Sequence, residues 1–538
     1  KPKDIEPILK LLLLGFNNRK YDNHMIYAAY MGYNNQQLYE LSKKLIGGNH
    51  TAMFGEAYNL SYGDLYEISS KKASLKRFQI DLGIHHQELG FDWDKPVPEE
   101  LWPKVTEYCG NDVLSTEAVL DDREEDLQAR KILSELSGLP VNSTTQQHTA
   151  RIVFHGDKDA QSKFVYTDLS KEFPGYVYDF GTSTYKGRVT GEGGLVIGEP
   201  GMYTDVALLD IESMHPTTIK VLNMFGPYTQ NFYDLVRARL AIKHGDFDSA
   251  RKMLGGVLAP YLGSKESAKA LSYALKIIIN IVYGLTSAKF DNPFRDARNK
   301  DNICAKRGAL FMIDLYDAIT AQGFQVIHIK TDSVKIANAT PEIIQFVKDF
   351  GAKFGYTFAQ EKTYEKFCLV NDAVYVAKEI DAPWEGGGDG SWTATGAQFQ
   401  HPFVFKTLFS KEPIEFQDLC ETKTVTTALY LDFDSVDPMW KLDAPPQPKF
   451  VGKAGSFCPI KENCGGGLLV REKEGKFYAA TGTKGYFWLE SEMVKSQGKE
   501  DDIDMGYFMR LVDDAVSNVS KFGDFEWFVS ESECADAL

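Results

Sequence analysis

The sequence is poor in the features that mark specialised protein classes. Its run Leu11-Leu12-Leu13-Leu14 is far too short to cross a bilayer and is closed by Gly15, so it reads as a buried strand and no membrane partner is expected. The seven cysteines (Cys109, Cys304, Cys368, Cys420, Cys458, Cys464 and Cys534) are odd in number and scattered, which argues against a disulfide framework and fits a reducing cytoplasm. Cys458 and Cys464 are the only pair close in sequence. One C-x5-C with no second pair in range makes a poor zinc site, and both read as structural thiols. No internal repeat or low-complexity tract stands out. Positive charge is scarce, with 59 Lys and Arg against 75 Asp and Glu and a net charge of −16. Taken alone this argues against nucleic-acid binding, which needs cations on the contacting face. Distribution matters more than the sum, however, and Lys289, Arg295, Arg298, Lys300, Lys306 and Arg307 form a locally basic stretch.

What is present is enough apolar material for several cores. The chain has 538 residues, 43% of them hydrophobic and 25% charged, which by the usual domain size predicts roughly three to five domains. It starts at Lys1, directly in structured-looking sequence, and reads as a fragment whose first domain is partial. Short apolar strands and helical stretches to about residue 135 predict an α/β domain, with a charged amphipathic helix over 117–136. Residues 140–200 are rich in Gly, Thr and aromatics and read as a connector. Helices are predicted over 232–245 and 264–287, joined through Gly255, Gly256, Pro260 and Gly263 as an antiparallel hairpin. Another follows over 307–321. After Pro383, glycine clusters and Pro445, Pro446 and Pro448 mark a C-terminal module with strands early and a helix over 505–519.

Ile327-His328-Ile329-Lys330-Thr331-Asp332-Ser333-Val334-Lys335-Ile336 puts a Thr-Asp-Ser turn between two alternating apolar runs, so Asp332 is expected at a hairpin tip. A carboxylate fixed by strands but left open by a turn suits a divalent metal that a bulky polar substrate must reach. Its expected partner is Asp210, at the end of the buried-strand run Val206-Ala207-Leu208-Leu209; two strand-end aspartates can hold two Mg²⁺ ions. Lys276, Asn280, Tyr283 and Ser287 recur at i, i+4, i+7 and i+11, one polar face of an otherwise apolar helix. That face can meet a nucleotide, or it can be a core helix with one snorkelling lysine. The preceding helix carries Arg237, Arg239 and Lys243, the last two one turn apart.

Aspartate, cationic helix pair and Thr-Asp-Ser hairpin occur in the order and spacing of the family B DNA polymerases, which the chain resembles. Asp210 to Thr218 resembles the D-x-x-S-L-Y-P-S motif, Lys276 to Gly284 the K-x3-N-S-x-Y-G motif, and Thr331-Asp332-Ser333 the D-T-D-S motif. Gly193-Gly194-Leu195-Val196 resembles the G-G-x-V segment that leads into the palm. Asn17-Asn18-Arg19-Lys20-Tyr21-Asp22 and Tyr108-Cys109-Gly110-Asn111-Asp112 resemble the second and third motifs of that family's 3′–5′ exonuclease. The resemblance spans about residues 15–380 and looks most like a bacteriophage-type replicase.

The resemblance implies an α/β multidomain fold, with an RNase H-like exonuclease domain followed by a right-hand polymerase. A partial exonuclease domain would occupy 1–135, a connector 136–200, the palm 201–230 and 291–382, the fingers 231–290, and the thumb with the C-terminal module 383–538. It implies DNA-directed DNA synthesis, with Asp210, Asp332 and the backbone carbonyl of Ile211 holding two Mg²⁺ ions, Mn²⁺ being a substitute. Arg239, Lys243, Lys276, Asn280, Tyr283, Ser213, Met214 and His215 would bind the nucleotide. Asp22, Tyr108 and Asp112 would serve the exonuclease, and Lys289, Arg295 and Arg298 the DNA. The implied partners are primer-template DNA, dNTPs and replication accessory proteins, in the host cytoplasm if the chain is phage-encoded.

Several departures qualify this. Lys330 stands at the first Asp of D-T-D-S, His215 at the Tyr that blocks a ribose 2′-OH, and Ile281 at a Ser. The exonuclease's first motif, D-x-E, is missing; Asp4-Ile5-Glu6 matches its letters but lies only eleven residues before Asn17, and reads as a surface turn entering a helix. The rival readings are a catalytically silent, polymerase-like DNA-binding protein, a protein acting chiefly as a nuclease, and an RNA-templated or primase-like enzyme.

Overall fold

The computed structural model describes residues 2–84, 89–91, 94–179, 181–191, 194–434, 448–474 and 476–530. Gly193, Pro445, Pro446 and Cys534 lie outside the described residues. The mixed α/β chain divides into two compact units, Lys1–Thr167 with Ile219–Asn299, and Asp168–Thr218 with Lys300–Leu538.

In the first unit, α3 (Lys265–Ser287) packs against both α1 (Glu124–Ser137) and α2 (Thr229–Lys243). Ser264 caps α3, its hydroxyl accepting the Ser267 N–H at 3.1 Å. Leu271, Ala274, Leu275, Ile278, Val282 and Leu285 are buried along one side of α3, while Lys276, Asn280 and Ser287 stay exposed on the other. Among the described residues α3 is the one helix long and apolar enough to cross a membrane, but its apolar stripe is covered within this unit, as in a core helix. The helix expected over 117–136 is two, Trp102–Asp122 and α1, broken at Arg123. The break leaves Glu124, Glu125 and Asp126 in the first turn of α1, where carboxylates meet the positive end of the helix dipole. The expected buried strand at Leu11–Leu14 is not formed. Leu11 and Leu12 are 65% and 80% exposed, because only Leu14–Gly15 finds a partner, pairing parallel with Gly63–Asp64.

The second unit is built on a seven-stranded antiparallel sheet of β1 (Val196–Gly198), β2 (Gly201–Ile211), β3 (Val326–Lys330), β4 (Ser333–Ala337), β5 (Phe358–Asn371), β6 (Val374–Glu379) and β7 (Trp392–Thr395). Their order is β7-β6-β5-β2-β4-β3-β1. The central strand β2 buries Val206, Ala207 and Leu209 on both faces, as a strand covered on both sides must. Helices α4 (Ile303–Ala321) and α5 (Pro341–Lys353) pack on the sheet through Phe311, whose ring meets Phe350, Phe354, Tyr356 and Phe358.

The expected basic stretch does not survive folding as a patch. Lys306 is buried, its ammonium donating to the carbonyls of Thr190 and Gly191. Arg307 is buried too, forking onto Glu172 at 2.9 and 2.6 Å, donating to the Phe354 carbonyl at 2.9 Å and lying 5.0 Å from the Tyr356 ring centre. Both occupy α4, whose first turns are enclosed on every side.

A second sheet of this unit runs β11-β10-β8-β9-β12, from β8 (Glu421–Asp432), β9 (Lys449–Ile460), β10 (Leu468–Lys473), β11 (Lys476–Ala479) and β12 (Phe487–Glu490). Helix α6 (Met505–Ser520) sets Tyr507 against Trp488 of β12, with ring centres 5.2 Å apart.

Removing the buried Arg307 guanidinium takes away the hydrogen bonds that it gives to the Glu172 carboxylate and to the Phe354 carbonyl, although Glu172 itself keeps access to solvent. Arg307→Met is expected to destabilise this unit by about 1–3 kcal/mol, read as a fall in its urea midpoint. Arg298→Met, at an exposed pair, should change stability by no more than about 0.5 kcal/mol.

Candidate active site

Asp210 and Asp332 come together because β2 and β4 are neighbours. Asp210 pairs with Ser333 across β2 and β4 and with Ala359 across β2 and β5. One residue further on, the Ile211 N–H donates to the Asp332 carbonyl at 3.0 Å. The turn of Thr331 and Asp332 joins β3 to β4, and Thr331 adopts the left-handed conformation, φ +59°. It is pinned from the G-G-x-V segment. The Thr331 N–H donates to the Leu195 carbonyl at 2.9 Å, and a Cβ on Gly194 would lie 3.2 Å from the Thr331 side chain. On the other strand Ser213, φ +57°, turns the chain from β2 into the helix Met214–Val221. A non-glycine residue in the left-handed region thus lies close to each aspartate, the sort of backbone strain that collects at functional sites.

Two further charged groups share this place. In β5, Gln360 faces Leu209 and Lys362 faces Leu208, so Glu361 is the extra residue of a β-bulge. Its charge bears on Asp332, whose carboxyl is held above the usual aspartate range first by burial and then by Glu361, with Lys335 opposing. Lys335 is opposite Leu208 in β2, on the same face as Asp210 one pair away, and is 3% exposed. Burial pushes its ammonium down to about 8, with Lys330 adding and Asp210 and Asp332 opposing. The ammonium donates to His328 Nδ1 at 3.2 Å, and His328 Nε2–H donates to the Asp372 carbonyl at 3.0 Å. Burial first, then Lys335, pushes this imidazole down to about 4, so it is neutral and free to accept. Lys330 itself is exposed at the end of β3.

The donor set is oxygen, which suits a hard cation. Among the described residues no three His, Cys, Asp or Glu converge as a closed metal cage. Two half-buried carboxylates and a strand-end carbonyl fit Mg²⁺, which is held by one or two carboxylates with phosphates and water completing its shell.

The Met214 side chain is buried against Gly308 of α4, so only its backbone is available to a nucleotide. His215 is half-buried, and burial pushes its imidazole down to about 4. In the first unit Arg239, Lys243 and Lys276 line one cavity of about 780 Å³ together with Lys265, Lys269 and Tyr273. Asn280 and Tyr283 continue the Lys276 face along α3. Arg295 is held by Asp291 at 2.8 Å, and Arg298 by Asp296 at 2.7 Å and by the Phe164 carbonyl, leaving Lys289 as the least engaged of the expected DNA contacts.

The exonuclease candidates fall into two groups. Asp22 is held above its usual range by burial and by the charge of Asp64. Asp64, which sequence reasoning missed, accepts the backbone N–H groups of Asn17, Arg19 and Tyr66 at 2.8–3.0 Å and so shapes the loop before Asp22. Asp112 sits instead with Tyr108, Lys76 and Gln79. Burial and Asp112 push the Tyr108 phenol up to about 12, and burial pushes Lys76 down to about 8. Asp4 and Glu6 are exposed beside the helical turn Pro2–Ile5.

No protein-family model matches the chain and no curated protein matches it. Among solved structures it is similar to the family B DNA polymerase of the hyperthermophilic archaeon Pyrobaculum calidifontis, over 96% of this chain and 72% of that one, with 14% identity and a TM-score of 0.42.

The raised Asp332 carboxyl has a consequence for stability. A folded value above the unfolded one, about 3.9, means that ionising Asp332 at neutral pH opposes folding. That penalty fades as pH falls through the folded value towards the unfolded one. Asp332→Asn is therefore expected to raise the thermal midpoint at pH 7 and to lose that advantage near pH 4. An unchanged or lower midpoint at pH 7 would contradict it.

Proposed function

We propose that the chain performs template-directed DNA synthesis from dNTPs on a primer-template, with Asp210, Asp332 and the Ile211 carbonyl holding two Mg²⁺ ions, or Mn²⁺ in their place. The observation that carries this reading is the pair of strand-end carboxylates, joined through the hydrogen bond from Ile211 to Asp332, with a left-handed residue near each. The metals, when bound, would lower the pKa of the primer 3′-OH and neutralise the departing pyrophosphate. The chain's own part is placement: the β2 and β4 pairing fixes the two carboxylates, and the Thr331 turn leaves Asp332 open to a large substrate. Arg239, Lys243 and Lys276 grip the triphosphate, Asn280 assists, and Tyr283 with His215 and the backbone of Ser213 and Met214 shapes the base and sugar pocket. Support for the clamp comes from the cavity that its three cations share.

In this reading residues 201–230 and 291–382 serve as palm, 231–290 as fingers, 383–538 as thumb and C-terminal module, and 136–200 as connector. Residues 1–135 carry Asp22, Tyr108 and Asp112 as an incomplete proofreading site, and Lys289, Arg295 and Arg298 touch DNA. The setting is cytoplasmic, with accessory replication proteins as further partners.

Asp210→Asn and Asp332→Asn should each abolish single-turnover nucleotide incorporation and leave primer-template binding within about twofold, since DNA affinity rests on phosphate contacts elsewhere. Incorporation retained by either variant would overturn the assignment. The alternative reading is a catalytically silent, polymerase-like DNA-binding protein, in which the Lys335 ammonium, drawn by Asp210 and Asp332, stands in for a metal ion. A wild-type chain that binds primer-template and incorporates neither dNTP nor rNTP would establish it.

Lys276→Ala should raise the KM for dNTP and lower kcat/KM by about tenfold or more, the loss of one charge-assisted phosphate contact. Weakened DNA binding with unchanged dNTP dependence would instead move Lys276 to the template.

A further inference from the structure

The two cysteines nearest in sequence are not the pair that folding brings together. Cys420 Sγ lies 3.6 Å from Cys458 Sγ, although 38 positions separate them. The contact follows from strand register. Glu421 of β8 pairs with Phe457 of β9 and Thr422 with Ser456, so the same register carried one residue outward sets Cys420 opposite Cys458. Directly opposed residues of an antiparallel pair have Cα atoms about 4.5–5.5 Å apart, inside the window of about 4.4–6.8 Å that a disulfide spans. Only the sulfurs have to move, closing by about 1.5 Å to the S–S bond length.

We infer that Cys420 and Cys458 form an oxidisable dithiol, a modification site that low-molecular-weight disulfides convert to a cross-strand disulfide. The two thiols differ in the way such a reaction needs. Cys420 is partly exposed at the start of β8, whereas Cys458 is buried in β9. The Cys420 thiol is held below its ordinary value by a hydrogen bond from Cys458, then by Ser456 and the nearby Lys495 ammonium. Cys420 is therefore the attacking group and Cys458 the resolving one. The Cys420 thiolate attacks one sulfur of a disulfide R–S–S–R, expelling RS⁻, which takes up a proton. Cys458 then loses its proton to solvent and attacks Cys420 Sγ, expelling the second RS⁻. Two protein thiols are oxidised by two electrons and one R–S–S–R is reduced to two R–SH.

The bond would form next to a junction of the module. Glu421, the neighbour of Cys420, takes hydrogen bonds from His401 Nε2 and the Tyr507 hydroxyl at 3.0 Å each and from Lys423 at 3.1 Å. A cross-link there would fasten β8 to β9 at the point where α6 is attached.

The test uses the full chain, fully reduced and then incubated with oxidised glutathione, with remaining thiols blocked by N-ethylmaleimide and peptides mapped by mass. The expected product is a Cys420–Cys458 linked peptide, two hydrogens lighter than its parts and reversed by dithiothreitol. Cys458→Ser should instead accumulate a glutathione adduct at Cys420, because the resolving thiol is gone. Cys420→Ser should show neither product, while exposed Cys109 still reacts and reports that oxidant was present. A stable adduct at Cys420 of the wild type without the cross-link, a cross-link from Cys458 to Cys464, or a Cys420 that stays free while Cys109 is modified would each overturn the proposal. The wild-type result decides this by itself if a variant fails to fold.

Discussion

The candidate site depends on one strand pairing, that of β2 with β4. Because side chains alternate along a strand, a slip of one residue would turn Asp210 to the opposite face of the sheet and away from Lys335 and the Asp332 turn. Burial forbids that slip. Leu209 and Val206 on β2, and Val334 and Ile336 on β4, all lie in the core and would trade places with half-buried or charged neighbours. The pairing is also clamped at its end, where Ile211 donates to Asp332 and Leu195 accepts from Thr331. Gly194 lets that segment approach closely enough to do so.

Having brought carboxylates together, the fold must keep them from driving one another apart. The answer is a buried chain of donors: Lys335 bonds a neutral His328, which bonds the Asp372 carbonyl. A lysine so enclosed loses solvation, and Lys330 adds repulsion, yet Asp210 and Asp332 draw it towards the charged state. The ammonium is thereby a fixed counter-charge behind the carboxylates, held by the sheet rather than by solvent. Removing His328's acceptor nitrogen would leave that ammonium without its hydrogen-bond partner among these side chains, so the imidazole acts on the site at one remove.

Much of this was legible in the sequence because it rests on local pattern. The alternation around Thr331 and Asp332 specified the hairpin, and the spacing of Lys276, Asn280 and Ser287 specified an exposed helix face. Asp210 was legible because a run of aliphatic residues ends on it. What escaped depends on tertiary pairing. Glu361 is placed by a bulge, which leaves no residue signature. Lys335 reads as an ordinary alternating polar position until β2 is seen to supply its neighbours. Asp64 gains its meaning from a loop 45–47 positions away. The Cys420 contact was hidden for the same reason, since sequence proximity favoured Cys464. The helix break at Arg123 and the exposure of Leu11 and Leu12 show the converse: local apolar character predicts an element only where tertiary structure supplies it with a partner.

The distribution of cations bears on how an acidic chain could hold a polyanion. Of the stretch from Lys289 to Arg307, two cations are enclosed in α4 and two are paired with aspartates of their own loop. Lys335 and Lys366 are likewise buried, the latter donating to the carbonyls of Trp527 and Ser530. The buried cations are matched by buried carboxylates, among them Asp64, Asp126, Asp301, Glu379, Asp418 and Asp432, so burial leaves the acidic balance of the surface close to that of the composition. Each phosphate neutralised by a protein cation contributes about 0.9 to the slope of log affinity against log salt. The aspartate-bound Arg295 and Arg298 can contribute only by exchanging one partner for another, so within this stretch the exposed Lys289 and Lys300 are the cations best placed to add to that slope.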